Sequence, residues 1–228
     1  MPEKQENFTL LGGKVIMHRS IYNPTSDAVW LAAYAPVTKV ENILDIGIGT
    51  GGVSLCLLAK HPDKAITGID ISEEMLNICK KNIELNNKHI NLIHADILNW
   101  STPKTFDLVV TNPPYFMGTP GNNTDVHHTT DITNWIKHSI ARVKPHGYFC
   151  MISDALVIDT AISALHAKHF GDIQIFPLFS NKNSAERVLI RAKQGVKTGT
   201  RIYSGTNMNN ESILRYGLTI DEWLAKLN

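Results

Sequence analysis

The sequence has few cysteines, almost no net charge and no long apolar segment. Its three cysteines, Cys56, Cys79 and Cys150, are odd in number and lie in apolar stretches, which favours reduced core residues over disulfides or a metal site. No segment approaches about 18 uncharged apolar residues, the length that a membrane-spanning helix needs. The first residues also lack the basic-then-apolar pattern of a signal peptide, so we expect a cytoplasmic protein.

A formal net charge of +1 argues against a strongly basic nucleic-acid-binding domain. The charge is unevenly distributed, however, because the segment 182–201 has one acidic side chain, Glu186, among several basic ones. The basic residues of this segment are Lys182, Arg187, Arg191, Lys193, Lys197 and Arg201. Either a solvated pair of basic strands or an RNA-facing surface would explain the segment.

Alternating strand and helix patterns predict one doubly wound α/β domain without internal repeats. Gly12-Gly13, between two strand-like runs, indicates a hairpin, and apolar spacing predicts a helix from Ile132 to Val143. We assign residues 1–40 to a hairpin-and-helix appendage packed on the same domain, and residues 41–228 to the main domain. The order predicts a seven-stranded, mostly parallel sheet flanked by helices. Its predicted strands are 42–46, 65–69, 90–95, 106–111, 148–153, 172–178 and 187–193.

A glycine-rich turn follows the first strand of the main domain and precedes a helix-like stretch at 53–60. Such a turn brings backbone N–H groups and a helix N-terminus up to a nucleotide-like ligand. The turn spells G-x-G-x-x-G, the pattern of dinucleotide sites, and also D-x-G-x-G-x-G, which is typical of S-adenosylmethionine (AdoMet) sites. The residues that carry the two patterns are Asp45, Gly47, Gly49, Gly51 and Gly52. The glycines therefore indicate a nucleoside cofactor without identifying it.

Two aspartates stand at the ends of the next two predicted strands. Asp70 lies 18 residues after Gly52, where it fits an acceptor for ribose hydroxyls. Asp96 is placed to accept from an adenine amino group, with an ordinary loop-opening aspartate as the alternative. Both fall at the carboxyl ends of strands, where ligands of open α/β sheets bind.

The tetrapeptide Asn112-Pro113-Pro114-Tyr115 directly follows the apolar run 106–111. Neither proline can donate to a strand ladder and each fixes its φ angle, so the segment is rigid. The Asn112 side-chain oxygen and the Pro113 carbonyl are two acceptors for the hydrogens of a planar exocyclic amine, and Tyr115 offers a stacking face. We interpret the tetrapeptide as a site that holds an amine nucleophile. The alternative is a proline-rich turn that only ends the strand.

With these motifs in this order, the sequence resembles the amino-methyltransferases of the AdoMet-dependent Rossmann-like superfamily. More narrowly, it resembles the bacterial tRNA1(Val) (adenine37-N6)-methyltransferases over nearly the whole chain, including the continuation of N-P-P-Y into Phe116. A Gly-Thr-Asp-like triplet of that family corresponds to Thr25-Ser26-Asp27, and Thr25 and Ser26 both remain candidates for the hydroxyl that meets the methionine carboxylate. The resemblance implies a class I methyltransferase fold, AdoMet as cofactor, and N6-methylation of adenine 37 in a valine tRNA by direct in-line transfer.

The motifs and the resemblance together define the expected site. The predicted catalytic residues are Asn112, Pro113, Pro114 and Tyr115. The predicted AdoMet-binding residues are Thr25, Asp27, Asp45, Gly47, Gly49, Gly51, Asp70, Ile71, Asp96, Ile97 and Asn112. The predicted tRNA contacts are Lys182, Arg187, Arg191, Lys193 and the polar loop 117–130. Asp125, His127 and His128 in that loop lack the spacing of metal ligands, so we expect no metal.

Other functions are compatible with parts of the pattern. A protein glutamine N5-methyltransferase, or an rRNA or DNA amino-methyltransferase, would use the same N-P-P-Y motif. A nicotinamide-dependent oxidoreductase would explain G-x-G-x-x-G but leaves Asp96 and residues 112–115 without a role. A non-catalytic RNA-binding protein on a methyltransferase fold is a further alternative.

Overall fold

A mostly parallel sheet lies at the centre of the computed structural model, which describes residues 6–114, 132–180 and 183–227. The strands of these residues are β1 (Asn7–Leu10), β2 (Val15–His18), β3 (Asn42–Ile46), β4 (Ala65–Asp70), β5 (Asn91–His94), β6 (Phe106–Thr111), β7 (Val143–Asp154), β8 (Phe170–Phe179), β9 (Arg187–Gln194), β10 (Arg201–Ile202) and β11 (Thr206–Asn207). The helices are α1 (Ser26–Tyr34), α2 (Gly52–Lys60), α3 (Glu73–Leu85), α4 (Ile132–Ile140), α5 (Ile158–Ala167), α6 (Glu211–Leu214) and α7 (Ile220–Ala225). Within the described ranges no helix is long and apolar enough to cross a membrane.

Seven strands form the sheet in the order β8-β9-β7-β6-β3-β4-β5, and the two-residue strands β10 and β11 add to β8. β9 runs antiparallel to its neighbours β7 and β8, whereas β3 is parallel to both β4 and β6. This arrangement confirms the predicted seven-stranded, mostly parallel sheet, with two short strands added at one side. The chain order of the strands reverses at β3, so the carboxyl ends of β3, β4 and β6 flank the crevice where ligands of such sheets bind.

Two predicted boundaries, one of a helix and one of the hairpin turn, differ from the structure. The helix predicted to reach Val143 ends at Ile140, because Val143 already pairs with Phe106 as the first residue of β7. The hairpin turn is a short 3-10 turn over Leu11–Gly13 rather than two residues. Gly12 has a φ of 63°, and a side chain there would collide with the Arg215 carbonyl oxygen, so the close approach of the two segments requires glycine.

The strands of the sheet are buried on both faces. Along β6, Leu108 and Val110 pack with the hairpin, α1, α2 and α3, whereas Val109 packs with α4 and α5. This division follows because successive side chains of a strand point to opposite faces. Trp30 on the first face and Phe149 on the second are fully buried, and each large apolar side chain contributes about 1.5–3 kcal/mol.

Asn82 of α3 and Asn86, which caps the end of this helix, join the N-terminal hairpin to the rest of the domain. Asn86 accepts from the Ile16 N–H at 2.9 Å and donates to the Ile16 carbonyl at 2.6 Å. One helical turn earlier, the buried Asn82 accepts from the His18 N–H at 2.7 Å and donates to the Thr50 carbonyl at 2.8 Å. Asn82 therefore links β2, α3 and the glycine-rich turn through one side chain.

The C-terminal segment closes over the middle of β9. Arg191 is only 9% exposed, and its guanidinium donates to both oxygens of Asp221 in α7, each at 3.1 Å. The same group donates to Gln174 at 2.7 Å and to the Tyr34 carbonyl at 3.1 Å. Arg191 therefore joins β8, β9, α1 and α7.

Replacing Asn82 by alanine should destabilise the fold. The substitution leaves the His18 N–H and the buried Thr50 carbonyl unpaired, at a cost of about 1–3 kcal/mol for each buried group. Urea unfolding of Asn82→Ala against the wild type measures the loss. Asn86→Ala is the matched control, because its bonds to Ile16 are exposed and water can replace them. Equal losses in the two variants would contradict the linking role of Asn82.

Candidate active site

The glycine turn between β3 and α2 has a backbone that favours glycine at three positions. Gly47, Gly49 and Gly51 have φ angles of 70°, 54° and 92°, in the left-handed region. Space is also limited, because a Cβ on Gly47 would lie 3.1 Å from the Trp135 ring and one on Gly51 would lie 2.8 Å from Cys79 Sγ. These three positions of the turn therefore require glycine, and Gly47 and Gly49 are the partly exposed residues of the turn.

The end of β4 holds this turn in place. The N–H groups of Gly47 and Ile48 both donate to the Ile69 carbonyl, at 2.9 and 3.1 Å. The Gly49 N–H donates to one carboxylate oxygen of Asp70 at 2.8 Å. Turn and strand end are thus one hydrogen-bonded unit.

Asp70 retains capacity for a ligand beyond this role. Its second oxygen accepts from the Ser72 N–H at 2.9 Å, and Ser72 in turn caps α3. Each carboxylate oxygen can accept two hydrogen bonds, so one position on each remains. The neighbouring Ile71 is exposed beside it, as an apolar surface next to an acceptor. This combination suits the hydroxyls and ring of a nucleoside.

Asp96 lies after β5 in a tight loop that it closes itself. One oxygen accepts from the Leu98 N–H at 2.9 Å and the other from the Asn99 side chain at 2.7 Å. Ile97 is buried in the core beneath this loop. The structure therefore puts Asp96 beside the end of β4, while its role toward an adenine stays a prediction.

Asn112 follows β6 and carries the main chemical feature of the site. Its side-chain oxygen is buried and has no hydrogen-bond partner among the described residues. Pro113 is buried and Pro114 exposed, so the backbone leaves the sheet at this point. A buried acceptor without a partner costs about 1–3 kcal/mol, which a ligand with an N–H donor would relieve.

Trp135 of α4 is a site residue that the sequence pattern did not identify. The helix predicted from Ile132 to Val143 contains this residue, but the helix pattern gives no indication that its ring lies against Gly47. The indole N–H donates to Thr111 Oγ at 3.0 Å, and this hydroxyl donates to the Ile46 carbonyl at 2.9 Å. Because Thr111 precedes Asn112, one side chain connects the glycine turn to the strand end of the acceptor. No local signal in the sequence predicts this contact.

Asp45 lies beneath the turn rather than on its surface. It is 1% exposed and accepts from the Ser54 hydroxyl of α2 at 2.6 Å. Its pKa is raised from 3.8 to about 7, mainly because burial disfavours the charged form; the Ser54 hydrogen bond lowers the pKa, and the nearby Asp70 carboxylate raises it. The structure brings Asp45 to the site as a support between β3 and α2, and its predicted contact with the cofactor is untested.

The Thr25-Ser26-Asp27 segment begins α1 at the same edge of the sheet. Thr25 caps the helix by accepting from the Asp27 N–H at 3.3 Å. Asp27 is buried and pairs with Arg187 at 3.4 Å, and Arg187 also lies 3.6 Å from Asp154 at the end of β7. Burial raises the pKa of Asp27, and the Arg187 charge opposes this shift. The segment therefore borders the crevice, with Thr25 and Ser26 both next to it.

The predicted RNA-facing basic strand is not one surface. The prediction is wrong for Arg191, because its guanidinium is buried in the bonds described above. In the ladder between β7 and β9, Lys193 is opposite Tyr148 and Arg187 is opposite Asp154. Lys193 therefore lies about 20 Å along the strand from Arg187, toward the amino ends of the parallel strands and away from Asn112. Only Arg187 of these three lies near the carboxyl edge, where it is already held by two carboxylates.

Several predicted residues fall outside the described part of the chain. These are Tyr115, Lys182 and the loop 117–130 with Asp125, His127 and His128. Among the residues that the structure describes, no three His, Cys, Asp or Glu side chains are grouped to hold a metal ion.

The raised pKa of Asp45 predicts a pH-dependent stability. The pKa is 3.8 for an ordinary aspartate and about 7 in the fold, so the folded state retains a proton that the unfolded chain releases between these values. The contribution of Asp45 is therefore present at low pH and lost as the pH rises toward 7. Asp45→Asn, which keeps an acceptor for Ser54, should gain stability relative to the wild type as the pH rises from about 5 to about 8, measured by urea unfolding.

Asp107→Asn is the matched control for this experiment. Asp107 accepts from two backbone N–H groups and pairs with Lys144, and its pKa is lowered to about 2. Asp107 is charged in the folded and the unfolded state across the tested pH range. The difference in unfolding free energy between Asp107→Asn and the wild type should therefore not change with pH. A parallel pH dependence of Asp45→Asn and the wild type would contradict the protonation of Asp45 in the fold.

Comparison with known proteins agrees with this geometry. Residues 28–176, more than half of the chain, match the family described as Methyltransferase small domain. A tRNA1(Val) (adenine(37)-N6)-methyltransferase of Flavobacteriaceae bacterium (strain 3519-10) is 36% identical over 46% of this chain and 47% of its own. One of the same name from Phocaeicola vulgatus is 30% identical over 75% of this chain and 76% of its own. A Methanocaldococcus jannaschii protein, assigned by name only as a protein N5-glutamine methyltransferase, is 36% identical over 46% of this chain and 52% of its own. The chain thus spans about half the length of the first and third of these relatives.

Solved structures share the fold at lower identity. A predicted O-methyltransferase of Agrobacterium tumefaciens has a TM-score of 0.67 at 22% identity, covering 80% of this chain and 88% of its own. The 16S rRNA N2 G1207 methyltransferase of T. thermophilus, in complex with AdoMet and guanosine, has a TM-score of 0.59 at 20% identity, covering 82% and 49%. These likenesses give the fold class, that of class I AdoMet-dependent methyltransferases. On the matched residues, the chain belongs to the Methyltransferase small domain family.

Proposed function

We propose that this protein transfers a methyl group from AdoMet to the exocyclic N6 of an adenine in tRNA, most specifically adenine 37 of a valine tRNA. The observation that carries the proposal is the buried side-chain oxygen of Asn112 at the carboxyl end of β6, which has no hydrogen-bond partner within the described part of the chain. An acceptor held in this way, followed by the carbonyl of Pro113, matches the two hydrogens of an adenine amino group. We further propose that the protein works in the cytoplasm, where its tRNA substrate would be found.

The relatives support the choice of tRNA over other acceptors. Two of those described above carry the name of a tRNA adenine-N6-methyltransferase, and one matches three quarters of both chains. The G-x-G-x-x-G pattern was the only feature that favoured an oxidoreductase. Because the chain belongs to a methyltransferase family, the same glycines are explained without that function.

The residues at the crevice fit AdoMet as the methyl donor. The glycine turn is open at Gly49, where a Cβ would have only the Gly47 carbonyl oxygen nearby, at 3.9 Å, so a ligand can approach the backbone there. Asp70 keeps acceptor positions for ribose hydroxyls, Ile71 is exposed for an adenine ring, and Asp96 follows on the next strand. Thr25 or Ser26, with Asp27, lies on the side where the methionine end would be held.

Within this site the chain itself would position the nucleophile. AdoMet, when bound, supplies an electrophilic methyl group. Asn112 Oδ1 and the Pro113 carbonyl accept the two amine hydrogens, which turns the nitrogen lone pair away from the ring and directs it. Tyr115 is assigned to stack on the adenine. Orientation of this kind can supply about 7–11 kcal/mol, and the methylated amine can lose its proton to these acceptors or to water without a dedicated base.

A protein glutamine is the second candidate acceptor. The relative from Methanocaldococcus jannaschii carries that activity in its name, and a glutamine side chain offers the same planar NH2 group to Asn112 and Pro113. Both acceptors can be tested with one labelled donor.

The test is incubation of the protein with tritiated-methyl AdoMet and unmodified bulk tRNA, followed by digestion to nucleosides. Label in N6-methyladenosine supports the proposal, and mapping of the labelled tRNA then tests the valine assignment. A parallel reaction with glutamine-containing release-factor protein tests the second candidate. Label only in protein, or none in tRNA when AdoMet binds, would refute tRNA as the substrate.

Asn112→Ala should abolish methylation while AdoMet binding stays close to that of the wild type. The variant removes the acceptor for the amine hydrogen but leaves the glycine turn and Asp70 unchanged. Methyl transfer and isothermal titration with AdoMet measure the two properties. Asn42→Ala, at the amino end of β3, is the control and should keep both. Retained turnover in Asn112→Ala would contradict the assignment of Asn112 as the acceptor for the amine hydrogen.

Asp70→Ala should weaken AdoMet binding by roughly 10- to 100-fold, because a hydrogen bond to a charged group contributes about 1.5–3 kcal/mol. The same titration measures it. Asp63→Ala, on an exposed aspartate before β4, serves as the control. Equal affinities in the two variants would show that the ligand pocket lies elsewhere.

A further inference from the structure

A protein that methylates RNA needs a surface for it, and the basic strand does not provide one beside Asn112. Arg191 is buried and Lys193 lies at the opposite edge of the sheet. Large apolar side chains are exposed near the crevice instead. Two of them are adjacent between β2 and α1: Ile21 is 80% exposed and Tyr22 is 47% exposed.

The turn that carries these two side chains is fixed by its own hydrogen bonds. The Ser20 N–H donates to Asn23 Oδ1 at 3.0 Å, and the Asn23 amide donates back to the Ser20 carbonyl at 2.7 Å. The Ser20 hydroxyl donates to the Tyr22 carbonyl at 3.0 Å and accepts from the Tyr22 N–H at 3.1 Å. The backbone is therefore ordered although its apolar side chains face solvent, so the turn presents them at little further entropic cost.

The turn lies beside the candidate active site. Pro24, which follows it, covers Gly52, since a Cβ on Gly52 would lie 2.8 Å from that of Pro24. Gly52 is the first residue of α2, immediately after the glycine turn. At the preceding end, the His18 N–H is bonded to Asn82, which also holds Thr50 of the glycine turn.

A third exposed apolar side chain lies on the other side of the N-terminus of α1. Leu156 is 87% exposed and stands two residues after Asp154, at the end of β7. β7 is the neighbour of β6, which leads to Asn112. Arg187 connects the two sides, because it lies 3.6 Å from Asp154 and 3.4 Å from Asp27 of α1. We name Ile21, Tyr22 and Leu156 the apolar rim.

We infer that the apolar rim binds unpaired nucleotides that flank the target adenine, with the Tyr22 ring as a stacking platform for a base. The inference rests on the proposed function and extends it from the adenine to its neighbours. Unstacked bases of single-stranded loops are bound on aromatic faces, whereas duplex RNA is bound through its sugars and phosphates. An apolar rim on the segments that lead to the site therefore fits a loop substrate, and this suits a chain with a net charge of only +1.

The experiment compares Tyr22→Ala, Tyr22→Phe and Leu156→Ser with the wild type on an unmodified anticodon stem-loop RNA. Tyr216→Ala is the matched control, because Tyr216 is 64% exposed but lies next to Gly217, which bonds Lys60 at the far end of α2. Steady-state rates give kcat and KM for RNA, and titration gives the Kd for AdoMet. Fluorescence anisotropy of labelled RNA, without AdoMet, gives binding independently of turnover.

Tyr22→Ala should raise KM and the RNA Kd by roughly 5- to 100-fold, the range expected for one lost base stack. Tyr22→Phe should retain wild-type values, Leu156→Ser should raise KM more modestly, and the AdoMet Kd should not change. The salt dependence of RNA binding should keep the same slope in Tyr22→Ala, because a stacking contact releases no counterions.

The outcomes separate the inference from the function on which it rests. If the wild type methylates the stem-loop and Tyr22→Ala and Leu156→Ser match Tyr216→Ala in KM and RNA Kd, the rim inference fails and the proposed function stands. If the wild type methylates a protein glutamine and not RNA, both fail. A changed AdoMet Kd in Tyr22→Ala would assign the turn to the cofactor site and would also overturn the inference.

Discussion

The attachment of the glycine turn to the end of β4 is the constraint on which the site depends. The chain leaves the ladder of β3 at Gly47, which has a positive φ, so the N–H groups of Gly47, Ile48 and Gly49 need other acceptors. The Ile69 carbonyl and the Asp70 carboxylate supply them. Because β3 also pairs with β6 in register, fixing the turn to β4 fixes its distance from Asn112. The position of the crevice is thus set by hydrogen bonds of the turn backbone, to the Ile69 carbonyl and to the Asp70 side chain.

The sequence predicted the parts of this arrangement that have local signals. Two such parts are the buried strand followed by D-x-G-x-G-x-G and the strand that ends at Asn-Pro-Pro. They can be predicted because hydrophobic periodicity, glycine and proline determine structure within a few residues. Asp70, Asp96 and Asn112 are found at the predicted strand ends for this reason. Val143 was assigned to a helix because its apolar spacing continues that of α4, whereas pairing with Phe106 across the sheet determines its structure.

The residues that the sequence did not predict correctly depend on distant partners. Trp135 is hydrogen-bonded to Thr111 and packs against Gly47, and Asn82 is hydrogen-bonded to His18 and Thr50. No local sequence pattern predicts these contacts. Arg191 looks like a solvent-exposed cation in a basic strand, but Asp221, 30 residues later in the chain, covers it. A charge pattern in a strand predicts exposure only if no later segment folds back over it.

The low net charge has a consequence for substrate selection. Of the basic strand residues that the structure describes, Arg187 lies at the carboxyl ends of the parallel strands, and its charge is held between Asp27 and Asp154. Attraction to phosphates is the main source of non-specific RNA binding and does not distinguish one RNA from another. A site that relies on an apolar rim and on the hydrogen bonds of Asn112 loses this general affinity, but it discriminates in favour of RNA whose bases are already unpaired. Base flipping costs least at such positions, so the same feature that selects a loop also lowers the energy needed to bring its adenine to the acceptor.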